Sequence, residues 1–229
     1  MIEQPPLLTV RRTFPRPTPA QIEALTGAQT GHVADAFGGR AALSHRIKPI
    51  DPDTAAFCGV ALTCHAGPGD IMATIAAYEI AEPGDVFIVA TDACMTVAAA
   101  GDILIGMAKN RGAAAFVTDG CVRDIAGIRA FGLPCFAAGV TPDSPNCAGP
   151  GAVGFPVHMG GREIVSGDVV IGDADGVVVI PYARIDEAIA GIANVRAAEA
   201  GVIARVEAGL DRPDFLEHHI KGDRTRWID

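Results

Sequence analysis

The sequence predicts an α/β fold with at least partly parallel strands, and three observations predict it. Between Phe57 and Val117, apolar runs and helix-patterned segments alternate in the order strand, helix, strand, helix, strand. From Gly154 onward, short apolar runs separated by the turn sequences GGR, SGD and DADG predict a β-rich second part, a hairpin or small barrel-like layer on the first. Within Pro181 to Glu207, the residues Ile185, Ala188, Ile189, Ile192 and Val195 recur at helical spacing and predict a long helix before a polar tail.

Taken in order, Met1 to Pro19 carries Pro5, Pro6, Pro15, Pro17 and Pro19 and predicts an extended arm. Thr18-Pro19 starts a helix, with Thr as cap and Pro at the first position, that ends near Gly27. A second short helix begins at Thr30 and closes at Gly38-Gly39; His32 and Asp35 share a face on it, as a satisfied polar contact or as a functional pair. Phe57 to Cys64 reads as a strand, Asp70 as the cap of a helix over 71–81, and Val86 to Ala90 as a strand. Gly67-Pro68-Gly69 lacks the context of a phosphate loop, and His65 reads as structural. Thr91 to Ala100, with Met95, is expected to be a loop.

The stretch from Gly101 to Asp124 carries the candidate chemistry. Asp102 to Asn110 predicts a short helix with Gly101-Asp102 at its cap, ended by Arg111-Gly112. Ala113 to Val117 is a buried strand, and Thr118-Asp119-Gly120 is turn chemistry leading to Arg123-Asp124. Free N–H groups at a helix start bind anions, Arg binds carboxylates through paired hydrogen bonds, and Asp oxygens suit Mg²⁺ or Mn²⁺. Asp102, Asp119, Arg123 and Asp124 therefore describe a site for a small acid chelated to a metal; on spacing alone they equally describe a cap and a surface ion pair. Ile125 to Phe131 is a helix, Cys135 to Ala138 a strand, and Thr141 to Gly151 a loop of the length at which function concentrates. Phe215, His218 and His219 sit in a C-terminal arm, where adjacent His residues make poor metal geometry.

The 229 residues, 49% hydrophobic and 20% charged, are enough for one domain with a real core. A net charge of −9 argues against a nucleic-acid partner. The six cysteines form no CxxC pair and read as reduced thiols of a cytoplasmic protein. The chain shows neither a signal sequence nor an apolar run long enough to span a membrane.

The order of motifs resembles a known family: PGD at 83–85, GD at 101–102, VTDGCVRD at 117–124, LPCFAAG at 133–139 and SGDVVIGDADGVVVIP at 166–181. Over roughly residues 25 to 200 the chain is similar to the RraA-like family. Within it, it is similar to the class II pyruvate aldolases acting on 4-hydroxy-4-methyl-2-oxoglutarate or 4-carboxy-4-hydroxy-2-oxoadipate. The aldolases carry the Asp that here is Asp102; members that regulate RNase E lack it. The aldolase pattern often continues, two residues past Arg-Asp, with Glu or Asp, whereas this chain reads Ile125-Ala126-Gly127.

The resemblance implies a single β/β/α sandwich of the swivelling-domain type spanning 1–229, with the Pro-rich arm at 1–19 and the C-terminal helix and tail at 182–229. It implies Mg²⁺ or Mn²⁺ bound directly by Asp124, with Asp102 reaching the metal through water or holding a catalytic water. It implies that Arg123 binds the pyruvate unit and stabilises its enolate. The N–H groups of Gly101, Asp102, Ile103 and Leu104 would hold the pyruvate carboxylate, and Glu199 would enter a neighbour's site. Trimers or hexamers with sites between subunits are implied too. The expected activity is aldol cleavage to pyruvate and a second oxo acid, with oxaloacetate decarboxylation on the side. The competing expectation is a protein-binding regulator of ribonuclease without catalysis. A methyltransferase is set aside for want of a cofactor-binding glycine motif.

Overall fold

The structure, a computed structural model, describes residues 6–228, so the first five residues of the expected arm lie outside it. In chain order the elements are β1 (Leu8–Val10), α1 (Pro19–Leu25), α2 (Thr30–Ala36), β2 (Lys48–Pro49), β3 (Phe57–His65) and α3 (Met72–Ala77). There follow β4 (Asp85–Ala90), β5 (Ala98–Ala100), α4 (Asp102–Asn110), β6 (Ala115–Thr118), β7 (Cys121–Val122), α5 (Ile125–Phe131), β8 (Cys135–Ala137) and β9 (Gly139–Val140). The chain closes with β10 (Gly151–Val153), β11 (Val157–Met159), β12 (Arg162–Ile164), β13 (Val169–Asp173), β14 (Gly176–Ile180), α6 (Ile185–Glu207) and α7 (Phe215–Ile220).

The main sheet runs β1-β10-β3-β4-β6-β8-β2, with β13 joined to β3 and β14 joined to β13. Its centre, β3-β4-β6-β8, is parallel, as the alternation of strands and helices requires. These strands are buried on both faces, so neighbours along each one enter different cores. Leu62, Cys64, Phe87, Val89 and Phe116 pack with Ala73, Ala77, Ile105, Ala108 and Ile128 of α3, α4 and α5. Ala61, Val86, Ile88, Ala115 and Val117 pack instead with Val157, Met159 and Ile164 of the β11–β12 hairpin. A third cluster joins Leu25, Val33, Ile185 and Ile192 of α1, α2 and α6 to Val169, Ile171 and Ile180 of β13 and β14.

Two expectations change. The β-rich second part divides: β11 and β12 form the expected hairpin layer on the main sheet, whereas β10, β13 and β14 join that sheet, because β3 is nine residues long and accepts two antiparallel strands on one edge. β13 pairs with Phe57 to Val60, and β10 pairs with Cys64 and His65. The loop expected over 91–100 contains β5, which joins β7 and β9 in a three-stranded parallel sheet. Three alanines carry no readable period, so this strand was invisible as a pattern.

The arm is fixed by charge. Arg16 donates to both oxygens of the fully buried Asp85 carboxylate at 2.6 and 3.1 Å, and Glu82 N–H donates to the same group at 2.9 Å. The Thr18 cap forms a full capping box with Gln21. Beyond Glu199, α6 leaves the body of the protein, and Val202, Ile203 and Val206 are exposed along it. Among the described residues, no helix is long and apolar enough to cross a membrane.

Candidate active site

The small parallel sheet exists to bring two chain turns together. β5 ends at Ala100 and delivers Gly101 and α4; β7 ends at Val122 and delivers Arg123, Asp124 and α5. Arg123 N–H donates to Ala100 O at 3.0 Å and locks one turn against the other. The result is a cleft of about 270 Å³ lined by Ile71, Ala100 to Leu104, Arg123, Asp124, Ser144 and Pro145.

Asp124 is the most constrained member. Its backbone is left-handed, at φ 60° and ψ 45°, a conformation that Asp tolerates better than most side chains. This sharp turn swings the carboxylate back beside Arg123, whose Nε lies 3.3 Å from Asp124 Oδ2. Gly101 makes the approach possible: a Cβ there would stand 2.6 Å from Asp124 Oδ2 and 3.2 Å from Arg123 Nε. Arg123 Nη1 donates to Ser144 Oγ on the other side.

Asp102 is not the cap. Gly101 occupies that position without a side-chain bond, and Asp102 is the first residue of the helix. Its carboxylate lies over α5, against Gly127, where a Cβ would come within 2.6 Å of Asp102 Cβ and 2.7 Å of its Cγ. The first backbone hydrogen bond of α4 is Ile105 N–H to Gly101 O, so the N–H groups of Asp102, Ile103 and Leu104 have no partner within the helix. Tyr78 anchors the turn from behind, its hydroxyl donating to Leu104 O at 2.7 Å.

The structure thus brings together Gly101, Asp102, Ile103, Leu104, Arg123 and Asp124. Asp119, expected beside them, is elsewhere: it is buried and accepts from Thr91 N–H (2.7 Å), Thr91 Oγ1 (2.9 Å) and Ala93 N–H (3.0 Å). It holds the tight bend at Asp92-Ala93, where both residues have positive φ. Glu199 also stays apart from the cleft of its own chain. It binds His32 Nε2 at 2.8 Å and ties α6 to α2, so His32 faces Glu199 rather than Asp35. Sequence reasoning missed Ile71, Ser144 and Pro145; for the last two the length of the 141–151 loop was the available signal, and it named no residue.

Among the described residues, no group of three or more His, Cys, Asp or Glu side chains could by itself hold a metal ion. The donor set still suits Mg²⁺ or Mn²⁺. Magnesium keeps several waters and takes one or two protein carboxylates, and Asp124 offers a carboxylate whose side chain is 48% exposed at the cleft mouth. Its oxygen donors are hard, which fits this class of cation.

Residues 30–179 match the model of the RraA-like family, described as Aldolase/RraA. The chain belongs to the RraA-like family. Among RraA-like relatives, a Halalkalibacterium halodurans protein named "Putative 4-hydroxy-4-methyl-2-oxoglutarate aldolase" is 40% identical over 149 residues, covering 65% of this chain and 70% of that one. An uncharacterized protein from Pseudomonas syringae has the same fold, with a TM-score of 0.75 at 22% identity, covering 86% of this chain and 96% of that one. Streptomyces coelicolor RraAS2, described as an unusual member of the RNase ES inhibitor RraA protein family, has a TM-score of 0.72 at 26% identity, covering 83% of this chain and all of that one (100%). The mixed α/β architecture with a C-terminal helix is therefore the RraA-like fold.

Proposed function

We propose that this protein is a divalent-metal-dependent aldolase cleaving 4-hydroxy-4-methyl-2-oxoglutarate or 4-carboxy-4-hydroxy-2-oxoadipate to pyruvate and a second 2-oxo acid. The convergence of Asp102, Arg123, Asp124 and the open N-terminus of α4 on one cleft carries the reading. The name of the 40% identical relative supports it.

The α4 N–H groups of Ile103 and Leu104 receive the substrate carboxylate, where the helix dipole favours negative charge. Arg123, held between Asp124 and Ser144, faces the 2-oxo end. A divalent cation at Asp124, when bound, polarises the 2-oxo group as a Lewis acid. Asp102, through a water it holds, takes the proton of the 4-hydroxyl as the C3–C4 bond breaks and C4 becomes a carbonyl carbon. The electron pair of that bond passes into the pyruvate enolate, and the fixed Arg123 guanidinium stabilises its charge without reorganising. Oxaloacetate decarboxylation yields the same enolate, so it accompanies the main activity. Glu199 belongs to a neighbouring copy's site in a trimer or hexamer; the exposed Val202, Ile203 and Val206 of α6 and the 67% exposed Ile103 beside the cleft support such an assembly. The ribonuclease-regulator reading rests on the RraAS2 likeness; Asp102 in the cleft favours the enzyme.

The test is pyruvate release from either substrate with Mg²⁺. It should stop with chelator and fall at least about a hundredfold in Asp124→Ala and Arg123→Ala, the scale of losing one fixed charge-stabilising group. Undiminished turnover in both variants would reject the assignment.

A further inference from the structure

The 141–151 loop is built into the cleft rather than draped over it. Thr141 N–H donates to Val122 O at 3.1 Å, and Ala98 N–H donates to Asp143 O at 3.0 Å, tying the loop's first half to the small sheet. Its second half is held by Asp70. That carboxylate accepts from Ala148 N–H (2.6 Å) and Gly149 N–H (3.0 Å) through Oδ2 and from Met72 N–H (2.7 Å) through Oδ1. Asn146 adds backbone bonds in both directions, to Gly69 O at 2.8 Å and from Ile71 N–H at 3.1 Å. Asp70 is not the cap of α3, a position that Ile71 occupies; one residue earlier, its carboxylate fastens the loop to the start of that helix. Burial alone would push its carboxyl up, yet the backbone N–H groups of Ala148, Met72, Gly149 and Ile71 hold it below the ordinary value.

Between these two anchors, Ser144 and Pro145 close the wall of the cleft, and Ser144 Oγ accepts a hydrogen bond from Arg123 Nη1. A hydroxyl has one proton to give and two lone pairs. One lone pair is used by Arg123, so the hydroxyl's own proton is left to donate. A 2-oxo acid presents only acceptors, a carboxylate and a keto oxygen, to that wall. We propose that Ser144 contacts the substrate, donating its hydroxyl proton to the bound 2-oxo acid while it orients Arg123, and that Asp70 is the positioning residue that holds Ser144 in place.

The assignment rests on the 2-oxo acid reading of the same cleft. Its test is calorimetric titration of the full-length protein with pyruvate at saturating Mg²⁺, with unfolding midpoints in urea measured in parallel. Ser144→Ala should weaken pyruvate about tenfold with an unchanged midpoint, because one charge-assisted hydrogen bond is lost at an exposed position. Ser144→Thr should restore affinity to within about threefold. Asp70→Asn should weaken binding in the wild-type background and add nothing in the Ser144→Ala background, since it acts through Ser144. Should Asp70→Asn fail to fold, the Ala and Thr variants at 144 decide alone. Wild-type affinity in Ser144→Ala, or a full additive loss from Asp70→Asn, overturns this assignment and leaves the aldolase reading standing. Absence of pyruvate binding by the wild type overturns both.

Discussion

Replacing Gly127 with alanine should cost activity far more than stability. Gly127 lies on α5 under Asp102, and an added Cβ would stand 2.6 Å from Asp102 Cβ, where ordinary contact begins near 3.4 Å. Asp102 can rotate its carboxylate away, but its Cβ is fixed by the α4 backbone. The two helices must therefore separate by the shortfall, about 0.8 Å by that contact distance. Overpacking of this kind costs roughly 1–3 kcal/mol, and about 1 kcal/mol returns because alanine is the better helix former. The net loss of stability should be about 1 kcal/mol. The same displacement moves Asp102 away from Asp124, and an error near 1 Å in a reacting group costs on the order of a hundredfold. Steady-state kcat/KM for pyruvate release and urea unfolding of the same preparations measure both quantities. Unchanged kcat/KM in Gly127→Ala would show that the α4–α5 spacing does not set the geometry of the site.

Arg16→Ala leaves the fully buried Asp85 carboxylate without its cation and should destabilise the fold by about 3 kcal/mol in urea; a change under about 1 kcal/mol would contradict the buried pair. The Asp70 carboxyl is held below its ordinary value, so its stabilisation is complete above about pH 4 and fades as the pH falls through the lowered value. The difference in unfolding free energy between wild type and Asp70→Asn should therefore be flat toward neutrality and shrink in acid. Cys94 is held below the usual thiol value by the Thr96 hydroxyl and neighbouring N–H groups, whereas burial pushes Cys58, Cys64, Cys121 and Cys135 up. Peptide mapping after brief alkylation near pH 8 should find Cys94 modified ahead of those four.

Much of the fold was legible because its signals are local. The Thr18-Pro19 start, the Gly38-Gly39 stop and the apolar runs of β3, β4 and β6 are set by backbone chemistry within a few residues. What was not legible depends on distant partners. Nothing in Ala98-Ala99-Ala100 announces a strand until Cys121-Val122 lies beside it. The placement of β13 against β3 rather than in a separate layer depends on the length of β3 and the hairpin that β13 shares with β14. In the site, residues 101–104, 123 and 124 were found because carboxylate, guanidinium and helix start sit on two short stretches. Asp119 was misplaced because a carboxylate that holds a tight bend and one that faces a ligand have the same residue signature. Ser144 was missed because its meaning lies in Arg123, 21 residues away, and in the Asp70 clamp.

The most direct test of the central claim is a crystal structure of the protein soaked with Mg²⁺ and pyruvate. It should place the cation on Asp124, with the pyruvate carboxylate on the Ile103 and Leu104 N–H groups and Arg123 over the oxo end. Pyruvate ordered elsewhere, or a cation that ignores Asp124 while the cleft stays open, would contradict it.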